Sequence, residues 1–198
     1  MRRTFTFPLI AVLMAACGRE PTAPSPGTPS FSRVAVDQSQ SVADAAAPFT
    51  FAIGGPSAQV LAQTFTAGAS AKLRQVDLPV ACDAGALVLE VRDVAGGVPG
   101  TTVLASESYA AATFAPFTPG VATFATLRVA PAPTLVAGTR YALVLSDPTG
   151  SCGILPGPVG DPYAGGSALV LDAFTGNWQA LSIGNDRDDL PFVTYVQP

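Results

Sequence analysis

The stretch that decides the fold is "ALVLEVRDVAGGVPGTTVLASES", residues 86–108. In its first half Leu87, Leu89 and Val91 lie on one side, while Glu90 and Arg92 lie on the other. This period of two residues is typical of a β-strand with one buried face. The glycines and the proline that follow, before the second apolar run, predict a turn between two strands.

The same alternation recurs through the rest of the chain, for example at Tyr141, Leu143 and Leu145. No stretch shows a sustained helical period of 3.6 residues with caps. The predicted strands are residues 59–65, 73–80, 86–94, 101–108, 121–129, 139–146, 167–174, 177–183 and 191–196. About nine short strands with Gly and Pro between them predict an all-β fold, an antiparallel β-sandwich or jelly roll.

Four motifs of this region resemble a β-sandwich module that recurs in bacterial anchored surface and secreted proteins. They are QTF at 63–65, the glycine-rich hairpin at 93–100, LVAGTRYALVL at 135–145 and the aromatic strand at 192–196. The hairpin is one residue longer than in the module, and the cysteines are not part of the module. The resemblance implies the fold and no activity, because one fold hosts many functions.

The first 16 residues have the build of an export signal, with two arginines before an apolar run that is too short to span a bilayer. Residues 14–17, Met-Ala-Ala-Cys, resemble the lipobox of bacterial lipoproteins. The resemblance implies cleavage before Cys17 and lipid attachment to its thiol, which would anchor the protein in a membrane. Gly18, in the position where Asp commonly retains lipoproteins at the inner membrane, favours the outer membrane where two are present. The alternative is an ordinary signal cleaved after or near Ala16.

Residues 17–47 are rich in Pro, Ser and Ala and predict a disordered linker that serves as a stalk. The folded β-sandwich domain is then expected to occupy residues 48–198. A short helix at about 41–47 is the alternative for the end of this linker.

The net charge and the cysteine count limit the classes of partner and the cellular compartment that we expect for this protein. Without residues 1–16, 8 basic residues remain against 14 acidic ones, a net charge of −6. An acidic chain without a basic run predicts no nucleic-acid partner. Once Cys17 is set aside, Cys82 and Cys152 form an even pair that we expect to be a disulfide in an oxidising compartment. Two reduced, buried thiols are the alternative.

The sequence predicts no enzyme. It contains no histidine, which removes Ser-His-Asp and Cys-His catalysis and histidine-ligated zinc. Chemistry that uses two carboxylates stays as an alternative. Against it, the only glutamates of the predicted domain, Glu90 and Glu107, are both expected to face outward.

Two features are candidates for binding. The first is the acidic loop at 184–190, whose Asp186, Asp188 and Asp189 are either solvated, paired with Arg187, or ligands of Ca²⁺ with help from Asp161 or Asp172. No other cofactor is predicted. The second is an aromatic platform for sugar stacking, drawn from Tyr109, Tyr163, Phe174 and Trp178. Tyr163 lies in a loop and is expected to be the more exposed ring, whereas Trp178 fits a core position equally well.

The resulting prediction is a non-catalytic, lipid-anchored cell-envelope protein that displays an interaction or structural module. Its partner is the membrane through Cys17, together with a protein or glycan that the sequence does not identify. The alternative function is a carbohydrate-binding surface module, with or without Ca²⁺.

Overall fold

The computed structural model describes residues 33–181 and 186–198. These residues form thirteen β-strands, two single 3-10 turns at Gly55–Ser57 and Ala111–Thr113, and no α-helix. The strands are β1 (Ala35–Gln40), β2 (Phe51–Gly54), β3 (Val60–Thr66), β4 (Lys72–Leu78), β5 (Val80–Ala84), β6 (Ala86–Ala95), β7 (Val98–Ala110), β8 (Ala125–Arg128), β9 (Arg140–Ser146), β10 (Ser151–Ile154), β11 (Ala168–Leu171), β12 (Trp178–Ala180) and β13 (Phe192–Gln197). Within the described ranges, no helix is long and apolar enough to cross a membrane.

The strands form three sheets whose ladders are all antiparallel. The largest has the order β12-β11-β3-β9-β6-β7, the second β1-β13-β4-β8, and the third β2-β10-β5. One hydrophobic core takes side chains from all three sheets, with Phe65, Phe192 and Ile53 among its fully buried members. The expectation of an antiparallel, all-β, sandwich-like fold is confirmed.

Strand β6 behaves as its alternation predicts. Leu87, Leu89 and Val91 are buried in the main core, and Glu90 and Arg92 on the other face form an ion pair. Strand β9 differs from the prediction of a single buried face. Its Ala142 and Val144 belong to a smaller apolar cluster on the opposite side of the six-stranded sheet, where Val60, Val94, Val98 and Trp178 pack against it.

Each of the nine predicted strand segments overlaps a strand of the structure. The four strands that the pattern missed are β1, β2, β5 and β10. Three of these make up the whole of the three-stranded sheet. They have four or five residues each, which is too short for alternation to stand out.

The predicted linker extends too far toward the carboxyl end. Ala35–Gln40 forms an edge strand on β13, so this part of residues 17–47 belongs to the sandwich. Side-chain bonds fix this polar strand, since Gly68 donates to Asp37 and Thr194 Oγ1 accepts from the Gln38 amide. The alternative helix at 41–47 is also wrong, because this segment contains a turn instead. Residues 17–32 of the predicted linker, and the signal with Cys17 and Gly18, lie outside the described residues.

Candidate functional site

The predicted disulfide is confirmed. Cys82 and Cys152 are register partners on β5 and β10, and they are joined with their Cα atoms 3.9 Å apart and a sequence separation of 70. Asp147 Oδ2 lies 3.3 Å from Cys152 Sγ, and Oδ1 of the same carboxylate accepts the amides of Thr149 and Gly150. Among the described residues, only Cys82, Asp147 and Cys152 bring three possible metal-ligand atoms within 4.8 Å of one another. Because the sulfurs are oxidised, the cluster offers no thiolate ligand.

The acidic loop divides its carboxylates between solvent and the interior. Asp189 is only 1% exposed, and its two oxygens accept hydrogen bonds from Gln63 Nε2 at 2.9 Å and from the Tyr163 amide at 2.9 Å. Gln63 is equally buried and accepts the Leu190 amide at 2.7 Å. A side chain of β3 therefore fixes the chain that leads into β13, and Asp189 serves as an internal acceptor.

The other residues of this loop also differ from the expected arrangement. Arg187 is buried and bonds Asp44 Oδ2 at 2.7 Å, beside the ring of Phe49, so its ion-pair partner lies outside the acidic loop. Asp186 is exposed, and Asp188 is partly buried. These two and Asp189 are not among the clusters of closely spaced ligand atoms found in the described part of the chain. Ca²⁺ binding here stays a prediction, and residues 182–185 lie outside the described residues.

Asp189 gives the stability of the protein a predicted pH dependence. Burial raises its pKa from 3.8 to about 6, and the bonds from Gln63 and the Tyr163 amide oppose that rise. The folded chain therefore holds this proton more tightly than the unfolded chain. The stabilisation is fully present below pH 4 and is lost as pH rises through 6, by about 2 kcal/mol between pH 4.5 and 7.

Urea unfolding at several pH values checks this expectation, with Asp189→Asn as the comparison. Between pH 4.5 and 7 the wild type should lose stability and the variant should lose much less. The chain has no histidine that would titrate in this range, and Asp161, which also raises the pKa of Asp189, is present in both proteins. Asp44, whose pKa the Arg187 bond lowers, acts in the opposite direction at lower pH. Equal slopes for the two proteins would contradict the assignment to Asp189.

The expectation that Tyr163 presents an exposed ring is wrong. It is 8% exposed, and its ring packs edge-on against Phe192 at 5.1 Å between centroids. Its hydroxyl donates to Gln38 Oε1 at 2.9 Å and accepts the Thr66 amide at 3.3 Å. Burial raises the pKa of Tyr163. The ring connects β1, β3 and β13, which is a structural role.

Of the remaining candidate rings, only Phe174 is fully exposed. Trp178 is partly buried and packs on the small cluster of the outer sheet face, and Tyr109 is partly buried against the main core. Phe174 is 100% exposed at the turn between β11 and β12. The aromatic platform predicted around Tyr163 and Trp178 therefore does not form, and a different ring faces the solvent.

Phe174 borders an open cleft of about 460 Å³ between its turn and the 3-10 turn at Gly55–Ser57. The apolar part of the lining includes Pro56, Val170 and Leu171, and the polar part includes Gln59, Asp172 and Gln179. Asp172 Oδ2 accepts Gln179 Nε2 at 2.8 Å, which fixes the amide at the rim. The cleft thus combines one free aromatic face with ordered hydrogen-bonding groups.

The two glutamates do not form a catalytic pair. Glu90 lies on the outer face of β6, in an ion pair with Arg92. Glu107 is the register partner of Leu89, so it lies on the core side of β7, which corrects the expectation that it faces outward. The two carboxylates therefore project from opposite faces of the sheet.

The chain matches no protein-family model and no curated protein. Sequence reasoning missed Gln63 as the partner of Asp189, because 126 residues separate them. It named Phe174 among four candidate rings but missed the cleft beside it, for which the turn-forming residues "TGN" at 175–177 were the available signal.

Proposed function

We propose that this protein is an exported, lipid-anchored component of a bacterial cell envelope that presents a non-catalytic β-sandwich for interaction. The observation that carries the proposal is the sequence "LMAAC" at 13–17, which places a cysteine directly after a short export signal. The disulfide between Cys82 and Cys152 supports export, because such bonds persist in oxidising compartments. The similarity to modules of anchored surface proteins belongs to the same proposal.

The first strand shortens the proposed tether. Because β1 begins at Ala35, the segment between the lipid and the sandwich has 18 residues, from Cys17 to Val34. At about 3 Å per residue this proline-rich segment reaches about 50 Å. We therefore expect the sandwich to stand within that distance of the membrane.

The experiment labels a bacterial culture with an alkynyl fatty acid and then separates membranes from soluble proteins. The wild type should carry the label, and detergent but not high salt should extract it from the membranes. Cys17→Ser should carry no label. The double variant Cys82→Ala/Cys152→Ala is the matched control and should be labelled like the wild type. An unlabelled wild type in the soluble fraction would contradict the proposal.

A further inference from the structure

We propose that the cleft beside Phe174 binds a neutral carbohydrate. In this arrangement the ring of Phe174 stacks on the apolar face of a sugar, and the amides of Gln59 and Gln179 bond its hydroxyls. The proposal deepens the interaction role given above and rests on it for the biological setting. The site differs from the one expected around Tyr163 and Trp178, and it follows from the exposure of one ring.

The turn that carries Phe174 is built to hold its position. Asp172 Oδ1 accepts the amides of Phe174 at 2.8 Å and Thr175 at 3.0 Å, and the Asp172 carbonyl accepts the Gly176 amide at 2.8 Å. Gly176 has a φ of 69°, a left-handed conformation that favours glycine. A ligand would therefore meet a backbone that is already ordered, which lowers the entropy cost of binding.

The ring itself has no partner surface among the described residues. At 100% exposure it is the most exposed of the large hydrophobic side chains there. Isolated apolar residues on a surface are ordinary. What distinguishes Phe174 is that it borders a cleft whose volume of about 460 Å³ falls within the range of small-ligand sites.

The lining indicates the class of ligand. It contains no lysine or arginine, and its one charged residue is Asp172, so an anionic ligand would meet repulsion without a compensating cation. A purely apolar ligand would cover the Gln59 amide and the part of the Gln179 amide that does not bond Asp172, and it would offer neither a hydrogen bond. A neutral sugar matches both parts of the lining, because it offers C–H groups to the ring and hydroxyls to the amides.

The cleft lies at the opposite end of β3 from the point where the described chain enters the sandwich. Asp37 of β1 bonds Gly68, just beyond the carboxyl end of β3. Leu171, which precedes the turn of Phe174, pairs with Val60 at the opposite end of β3. The chain thus enters the sandwich at one end of this strand, and Phe174 lies at the other.

The test uses the mature protein, solubilised in detergent, on a printed panel of neutral and acidic oligosaccharides. Calorimetry then measures affinity for the strongest neutral oligosaccharide. We expect Phe174→Ala to weaken binding about tenfold or more, with an unchanged melting temperature because the ring contacts no core residue. Gln179→Ala should weaken binding to a smaller extent. Phe117→Ala, which alters another exposed ring, is the matched control and should bind like the wild type.

Three results would overturn the proposal. They are the absence of any neutral glycan hit, binding that Phe174→Ala leaves unchanged, and Phe174-dependent binding to vesicles or to a protein in place of glycans. The lipid label separates this proposal from the preceding one. An unlabelled protein that binds sugar through Phe174 would refute the anchor alone, and a labelled protein without glycan binding would refute the cleft alone.

Discussion

Replacing Cys82 and Cys152 together by alanine is expected to lower the free energy of unfolding by about 4 kcal/mol. The bond closes a loop across 70 residues of sequence, and the chain-entropy model gives a stabilisation of this size for such a loop. The bond joins two strands of the three-stranded sheet, β5 and β10. We therefore expect this sheet to lose the most order in the double variant.

Urea unfolding with and without dithiothreitol measures this effect. The wild type should lose a similar amount of stability in the reductant, and the double variant should not respond to it. Compared with the wild type, the double variant should show a larger increase in the hydrogen-exchange rate in β2, β5 and β10 than in β3 and β9. A double variant within about 1 kcal/mol of the wild type would contradict the importance given to this bond.

The second large effect is expected for Gln63→Leu, at about 3 kcal/mol of lost stability. The change shortens the side chain by one atom, and it leaves the Leu190 amide without its acceptor and the Asp189 carboxylate without one of its donors. Both groups are buried, so water does not replace the lost hydrogen bonds. The result should be weaker attachment of the segment that leads into β13.

Gln75→Leu is the matched control. Gln75 also lies on a strand and also bonds an aspartate, with Nε2 2.9 Å from Asp77 Oδ1, but it is partly exposed. Its replacement should cost less than about 0.5 kcal/mol because water can solvate Asp77. Equal losses for the two variants in urea unfolding would show that burial does not govern the bond between Gln63 and Asp189.

The sequence predicted those parts of the fold in which local pattern and tertiary packing agree. Strand β6 is long, with one buried face and one polar face. The alternation of its sequence therefore predicts correctly that Leu87, Leu89 and Val91 are buried. Strands β2 and β10 are short, and they pair with each other through residues 51–54 and 151–154. This pairing joins chain segments about 100 residues apart, so a local sequence pattern cannot predict it.

Features of the candidate site that depend on residue type alone were predictable from the sequence. Features that depend on which distant residues pack together were not. The even cysteine count was enough to predict the disulfide. The burial of Tyr163 and Asp189 was not predictable, because each is satisfied by a distant glutamine, Gln38 or Gln63. The residue pattern predicts a strand over 167–174 that includes Phe174, whereas β11 ends at Leu171 and leaves the ring on a turn.

The most direct test of the proposed anchor is the mass of the amino-terminal peptide of the mature protein, purified from membranes and digested with a protease. Our account requires that this peptide begin at Cys17 and carry a thioether-linked diacylglycerol on its sulfur. A peptide that begins at another residue, or one whose Cys17 bears no fatty acid, would contradict the lipid anchor and the envelope location that depends on it.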